Sequence, residues 1–303
     1  VGISQEDQVM GEADATTGVS VARRRLRRFR VPVLVVVLFA VLVATRELNV
    51  LADHMAVIGL VVGIATAAGA ILFYVWLSRT VELRPNVPEL GADGRWSGLA
   101  CGAAIGATMF TVTMALIAVF GGFASLSRGS VGGCLISFGA FASVAVNEEL
   151  LFRGVVFRIL EERAGTVVAL VGSSLVFGLV HLVNGGATVA GALAVSLQGG
   201  MLTASAYAAT RSLWLPIGFH FAWDFVESGI FSAADSGTSS DGLLRSTLSG
   251  PTILTGGGFG PEASVVALVV CLVPTVLLLR SAARNGLLRP RPWAVQSPVS
   301  PVR

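Results

Sequence analysis

The sequence predicts an all-α polytopic membrane protein, about eight transmembrane helices in one bundle, and three observations carry that prediction. Hydrophobic residues make up 54% of the 303 and charged residues only 13%, about half the ~25% of an ordinary soluble domain. Mean hydropathy is +0.79. The apolar residues also gather in discrete runs, each near the ~20 residues that cross ~30 Å of hydrocarbon. A soluble enzyme, a disordered chain and a coiled coil are excluded. Backbone polar groups in lipid must be satisfied within their own segment, and the runs are too long for barrel strands, so helices remain.

Residues 1–30 read as a disordered basic tail, with Arg23, Arg24, Arg25, Arg27, Arg28 and Arg30 ahead of the first run at 31–52. A cleaved signal peptide over 23–44 is the rival reading, but the Arg balance of the later spans works only if the count starts inside. The second run, 56–77, follows a short loop in which His54 beside Asp53 reads as ordinary surface. The third, 96–120, holds GLACGAAIGATMF (98–110), whose small residues suit close helix approach in a bilayer. The fourth is 135–157, the fifth 166–184, the sixth 187–210 and the seventh 213–231. A Gly/Ser/Asp-rich stretch at about 232–262 reads as a disordered loop. The eighth run, 263–280, precedes a disordered tail, 281–303. The membrane domain is thus expected over 31–280.

All 21 basic residues are Arg, and the net charge is +3. With the N-terminus in the cytoplasm and eight spans threaded, eighteen Arg fall on the cytoplasmic side, leaving Arg46, Arg128 and Arg245 outside. That asymmetry makes the basic residues a topology signal beside anionic lipid rather than a nucleic-acid footprint. Both termini are expected in the cytoplasm. The Lys-free, Ala/Gly/Arg-rich composition suggests a bacterial plasma membrane, where a prenylated substrate is not expected. Cys101, Cys134 and Cys271 sit in apolar runs and read as small hydrophobes, with no disulfide framework.

Ionisable side chains within spans cost at least ~2.5–3.5 kcal/mol each on insertion scales and are functional candidates by default. NEELLFRG (147–154) places Glu148 and Glu149 late in the fourth run, with Arg153 one turn after Glu149. FGLVHLVNGG (177–186) places His181 near the end of the fifth. GFHFAWDF (218–225) puts His220 and Asp224 on one face of the seventh. Taken singly, these read as a structural ion pair, a satisfied helix histidine and a structural hydrogen bond. Together, two carboxylates and two imidazoles in a water-filled cavity make a hydrolytic site, with Glu as general base and imidazoles to hold water or face an oxyanion. A zinc site at Glu148, His181 and His220 is an alternative, and so is metal-free activation of water. HExxH, GxSG and GxGD signatures are absent. A proton-coupled transporter using the same groups is the reading from another class, but residues 31–150 and 151–280 show no repeat. Depth poses a question. Counted along their helices, His181 lies ~22 Å from Thr166 and His220 only ~10 Å from Leu213, so tilt, a deep funnel or a re-entrant break after Asn184 must bring them level.

In order, spacing and placement these motifs resemble the CPBP family, which groups CAAX prenyl endopeptidases with bacteriocin-processing and immunity proteins. Glu148, Glu149 and Arg153 match its Glu-Glu-x-x-x-Arg motif, Phe177 and His181 its Phe-x-x-x-His motif, and His220 with Asp224 its His-x-x-x-Asn/Asp motif. The resemblance covers roughly residues 95–230. It implies an eight-helix intramembrane protease that cleaves a membrane-embedded or membrane-proximal peptide, or a non-proteolytic scaffold or immunity relative. It further implies that Glu148 and His181 activate water, that His220 and Asp224 face the oxyanion, and that Glu149 and Arg153 support the site. Asp224 stands where the eukaryotic enzymes typically carry Asn. An ionised Asp cannot donate to an oxyanion, so it must orient His220, be protonated, or bind a metal. The lipid bilayer and a peptide are the expected partners, and no nucleic acid.

Overall fold

A computed structural model describes the backbone of residues 5–291 and the side chains of 29–291. Each apolar run becomes a helix: α1 (Gln5–Ala52), α2 (Ala56–Thr80), α3 (Arg95–Val119), α4 (Val131–Ala164), α5 (Thr166–Val180), α6 (Val189–Thr210), α7 (214–230) and α8 (Val265–Arg284). Seven are long and apolar enough to cross a membrane; α7 is not among these and is largely buried within the bundle. Two further expectations change. The backbone of α1 is already helical from Gln5, inside the stretch read as a disordered tail. Of the C-terminal tail, 292–303 lies outside the described residues. The 232–262 stretch is an ordered cap, whose strand β2 (Leu244–Leu248) pairs antiparallel with β1 (Phe123–Arg128) before a short helical turn at Thr252–Thr255.

Local chemistry sets the helix starts at this capped end. Ser130, Thr188 and Ser264 each take the backbone N–H three residues on, at 3.0, 3.0 and 3.1 Å, which opens α4, α6 and α8. Such hydroxyl caps satisfy one of the orphan donors of a first turn. The opposite end is tied by ion pairs: Arg158–Glu82 at 2.6 Å, Arg84–Glu89 at 2.6 Å and Arg30–Glu162 at 2.8 Å, with Arg211 on Glu161. Many of the Arg residues that mark topology are therefore also structural.

α3 packs against α7 backbone to backbone. A Cβ at Gly102 would stand 2.2 Å from the Leu215 carbonyl oxygen, and one at Gly106 would stand 2.3 Å from that of Phe219. Only glycine permits this approach, and it fixes the position of the helix that carries His220. Two apolar clusters fill the interior: one around Tyr74, Phe152, Phe157, Phe177 and Trp214, the other around Phe110, Met114, Phe219 and Trp223. Large apolar side chains elsewhere, such as Val36, Leu72, Val119 and Leu272, point outward, as a lipid-facing surface requires.

Three helices contain a π-turn: Phe152–Phe157 in α4, Ser196–Gly200 in α6 and Phe225–Ile230 in α7. Such widened turns are rare and favour functional sites. Each adjoins a polar residue of the cluster described next.

Candidate active site

Glu148 and Glu149 are sequence neighbours, so on a helix they point about 100° apart. Glu149 faces the bundle interior and is fully buried; Glu148 faces a cavity. Arg153, one turn on and also fully buried, donates from Nη1 to Glu149 Oε1 at 2.9 Å and from Nη2 to the Gly200 carbonyl at 3.0 Å. Gly200 closes the π-turn of α6. The guanidinium lies 4.5 Å above the Phe177 ring, a favourable stacking for a desolvated cation.

His220 is held between carboxylates. Its Nδ1 lies 3.0 Å from Glu149 Oε1, which also takes Arg153, so Nδ1–H donates there. Its Nε2 lies 3.2 Å from Asp224 Oδ2 and 3.8 Å from Glu148 Oε2. Glu148 Oε2 has no hydrogen-bond partner. His181 is placed differently. α5 ends at Val180, a 3₁₀ turn covers His181–Val183, and Asn184 is extended. His181 Nδ1 lies 2.8 Å from the Phe177 carbonyl. A carbonyl can only accept, so Nδ1 carries a proton, and in the neutral ring Nε2 is then the acceptor.

Phe177 also answers the question of depth. Its ring meets His181 at 4.9 Å and His220 at 5.8 Å between centroids, so both imidazoles pack on one aromatic spacer. A cavity of about 260 Å³ opens beside them, lined by Glu148, His181, His220 and Asp224. Glu149 and Arg153 stand behind that wall. The six residues singled out in the sequence thus come together as four facing the cavity and two backing it. Phe39, Leu42 and Val43 of α1, with Val180 and Val183, supply an apolar lining to the cavity. Arg46 reaches Asn184 at 3.5 Å.

The zinc alternative fits poorly. Glu148, His181 and His220 do not bring ligand atoms within 4.8 Å of one another; among the described residues the trio that does is Glu227, Asp235 and Glu262. None of these three carboxylates was singled out in the sequence, although Asp235 and Glu262 line the same cavity. Glu227 carried a usable signal: it sits seven residues after His220 within an apolar run. Asp235 and Glu262 lie in the stretch read as disordered and carried none. Burial pushes the Glu262 carboxyl up to about 7. Burial, reinforced by Asp224 and Glu262, pushes Asp235 well above the usual carboxylate range.

Residues 130–226 match the family described as type II CAAX prenyl endopeptidase Rce1-like. The match begins at the Ser130 cap of α4 and ends in the π-turn of α7, so it holds all six residues of the site. No curated protein and no solved structure matches the chain. With seven helices long and apolar enough to cross a bilayer and a domain at 130–226 similar to the CAAX-type intramembrane proteases, the chain is an integral membrane protein that carries a protease-like domain.

Proposed function

We propose that the protein is an intramembrane endopeptidase in which Glu148 and His181 activate a water without a metal. The observation that carries this reading is one cavity lined by Glu148, His181, His220 and Asp224, with the Glu149–Arg153 pair fixing His220 from behind. The Glu148 carboxylate, which lines the cavity and has no protein donor on Oε2, takes a proton from water. His181 Nε2, left as an acceptor by the Phe177 carbonyl, orients that water. The water oxygen adds to the scissile carbonyl carbon, and the proton passes on to the leaving amide nitrogen as the C–N bond breaks. His220, with carboxylates at both ring nitrogens, is held as an imidazolium whose Nε2–H donates to the developing oxyanion. Asp224 orients it and keeps its proton in place, which gives the Asp at this position a role without requiring it to donate.

The substrate is a membrane-embedded or membrane-proximal polypeptide that enters between α1 and α5, where the cavity wall is apolar. The Arg asymmetry supports cytoplasmic termini, and the cavity then opens toward the opposite side. The decisive assay is cleavage of a library of hydrophobic peptides by detergent-solubilised protein, where no gradient exists and transport cannot register. Glu148→Gln should lower cleavage by ~10²–10⁴-fold without shifting the unfolding temperature. A library left uncut, with proteoliposomes showing Glu148-dependent proton or solute flux, would make the protein a transporter instead.

A further inference from the structure

Behind the catalytic wall, Glu227 of α7, Asp235 of the capping stretch and Glu262 just before α8 each bring a carboxylate oxygen within 4.8 Å of the others, and all three side chains are buried. Among the described residues no Arg or His forms an ion pair with any of them. Uncompensated buried carboxylates are costly, so this cluster must take up positive charge from elsewhere. One atom points to how. Glu227 is fully buried; its Oε2 accepts the Trp223 indole N–H at 3.1 Å, whereas its Oε1 has no partner. That free oxygen lies against Gly260, two residues before Glu262. A Cβ at Gly260 would stand 3.3 Å from Oε1 and 2.0 Å from the Ala234 carbonyl, beside Asp235. The glycine, at φ +125°, thus lets the backbone close over the cluster.

The turn that delivers Asp235 is equally deliberate. Asp235 and Thr238 exchange backbone hydrogen bonds of 2.8 Å across Ser236 and Gly237, both at positive φ. Ser236 donates from its backbone N–H and its hydroxyl to Glu262 Oε1 at 2.6 and 2.7 Å. Glu262 Oε2 has only a long 3.5 Å contact with the Gln198 amide. Glu227 thus offers an unpartnered oxygen and Glu262 a loosely held one, in a trio with Asp235 that brings its ligand atoms within 4.8 Å of one another.

We propose that Glu227, Asp235 and Glu262 form a calcium site that opens into the cavity and ties the capping stretch to α7 and α8. An all-oxygen donor set selects a hard cation over zinc. Oxygens that all lie within 4.8 Å of one another are near enough to share one ion at Ca–O distances of ~2.4 Å, and calcium accepts an irregular oxygen set where magnesium demands a near-ideal octahedron. The ion is not part of the hydrolytic step; it holds the part of the cavity wall that Asp235 and Glu262 form. Asp235 and Glu262 line the cavity, which supplies the entry path.

Trp223 provides a built-in reporter. Full-length protein in detergent, stripped with chelator, is titrated with radioactive calcium and, separately, with terbium, an oxygen-seeking stand-in for calcium that emits when a neighbouring indole is excited. One ion per chain should bind with a dissociation constant of order 10⁻⁴–10⁻³ M, as in extracellular modules, and calcium should quench the terbium signal by displacement. Asp235→Asn and Glu262→Gln should weaken binding at least tenfold. Trp223→Phe, which keeps all three ligands, should lose the emission yet still bind calcium. No saturable calcium binding at neutral pH would mean that protons neutralise the cluster, and the site falls. Emission that survives both carboxylate changes, or the loss of Trp223, would place the ion elsewhere and overturn it equally. Cleavage is not the readout, so this outcome is independent of the protease reading.

Discussion

Arg153→Ala should be among the most damaging single changes outside the cavity wall. The guanidinium is fully buried and has three attachments: Glu149 at 2.9 Å, the Gly200 carbonyl at 3.0 Å and the Phe177 ring at 4.5 Å. Truncation orphans a carbonyl and leaves the Glu149 charge buried with only His220 beside it. Removing one partner of a buried pair costs about 3–5 kcal/mol. At roughly 2 °C per kcal/mol for a chain of this size, the apparent Tm should fall by about 6–10 °C. Intrinsic Trp fluorescence in detergent reads this. The cause is tested by Glu149→Gln combined with Arg153→Met. With no charge left unpaired, the double variant should recover most of the lost Tm. Cleavage should stay low, because His220 no longer has an anionic acceptor at Nδ1. A double variant as unstable as Arg153→Ala alone, or an Arg153→Ala within ~1 °C of wild type, would refute the assignment of the cost to a stranded carboxylate.

Gly106→Val should destabilise at or beyond the ~1–3 kcal/mol of ordinary overpacking, because its Cβ meets the Phe219 carbonyl at 2.3 Å. Gly69→Ala, with nothing within 4 Å of its new Cβ, should be neutral or stabilising; equal Tm values for the two would undo the packing argument. At the Arg-rich end, burial would raise the Glu89 carboxyl, but hydrogen bonds and charge from Arg84 outweigh it and hold its pKa below the ordinary value. Its contribution is therefore complete above that unfolded value and lost as pH falls through the lower folded one. Glu89→Gln should flatten the acid side of a Tm–pH curve, and an unchanged acid limb would rule the pair out as its source. Reporter fusions at residues 90 and 290 should read cytoplasmic and one near 240 external, and a cytoplasmic signal at 240 would reverse the orientation.

The spans were legible because hydropathy over twenty residues is a strong signal, yet their ends were not. The fourth run stops at 157 by hydropathy, whereas α4 continues to Ala164. Arg158, Glu161 and Glu162 are helical there because Glu82, Arg211 and Arg30 receive them. The six site residues stood out because ionisable groups in apolar runs are conspicuous. Their division into a cavity face and a backing pair was not readable, since it depends on which way α4 is turned against α6 and α7. The 232–262 stretch misled for a physical reason. Gly237, Gly256, Gly257 and Gly260 all have positive φ, so glycines that read as flexibility are serving fixed turns.

The π-turns have a consequence for how this chain tolerates change in length. A π-turn holds one residue more than the α-helical path it replaces, and each α-helical residue advances the azimuth by about 100°. Deleting one residue of 196–200 would let α6 relax to a regular helix with the part beyond it still in phase, at the cost of the widened turn that offers the Gly200 carbonyl to Arg153. The same deletion within 225–230 would leave His220 and Asp224 in their places and the entry into the cap in phase. A single-residue deletion in the regular part of either helix has no such slack and turns everything beyond it by about 100°. The widened turns are therefore where these two helices can give up a residue without losing their facing.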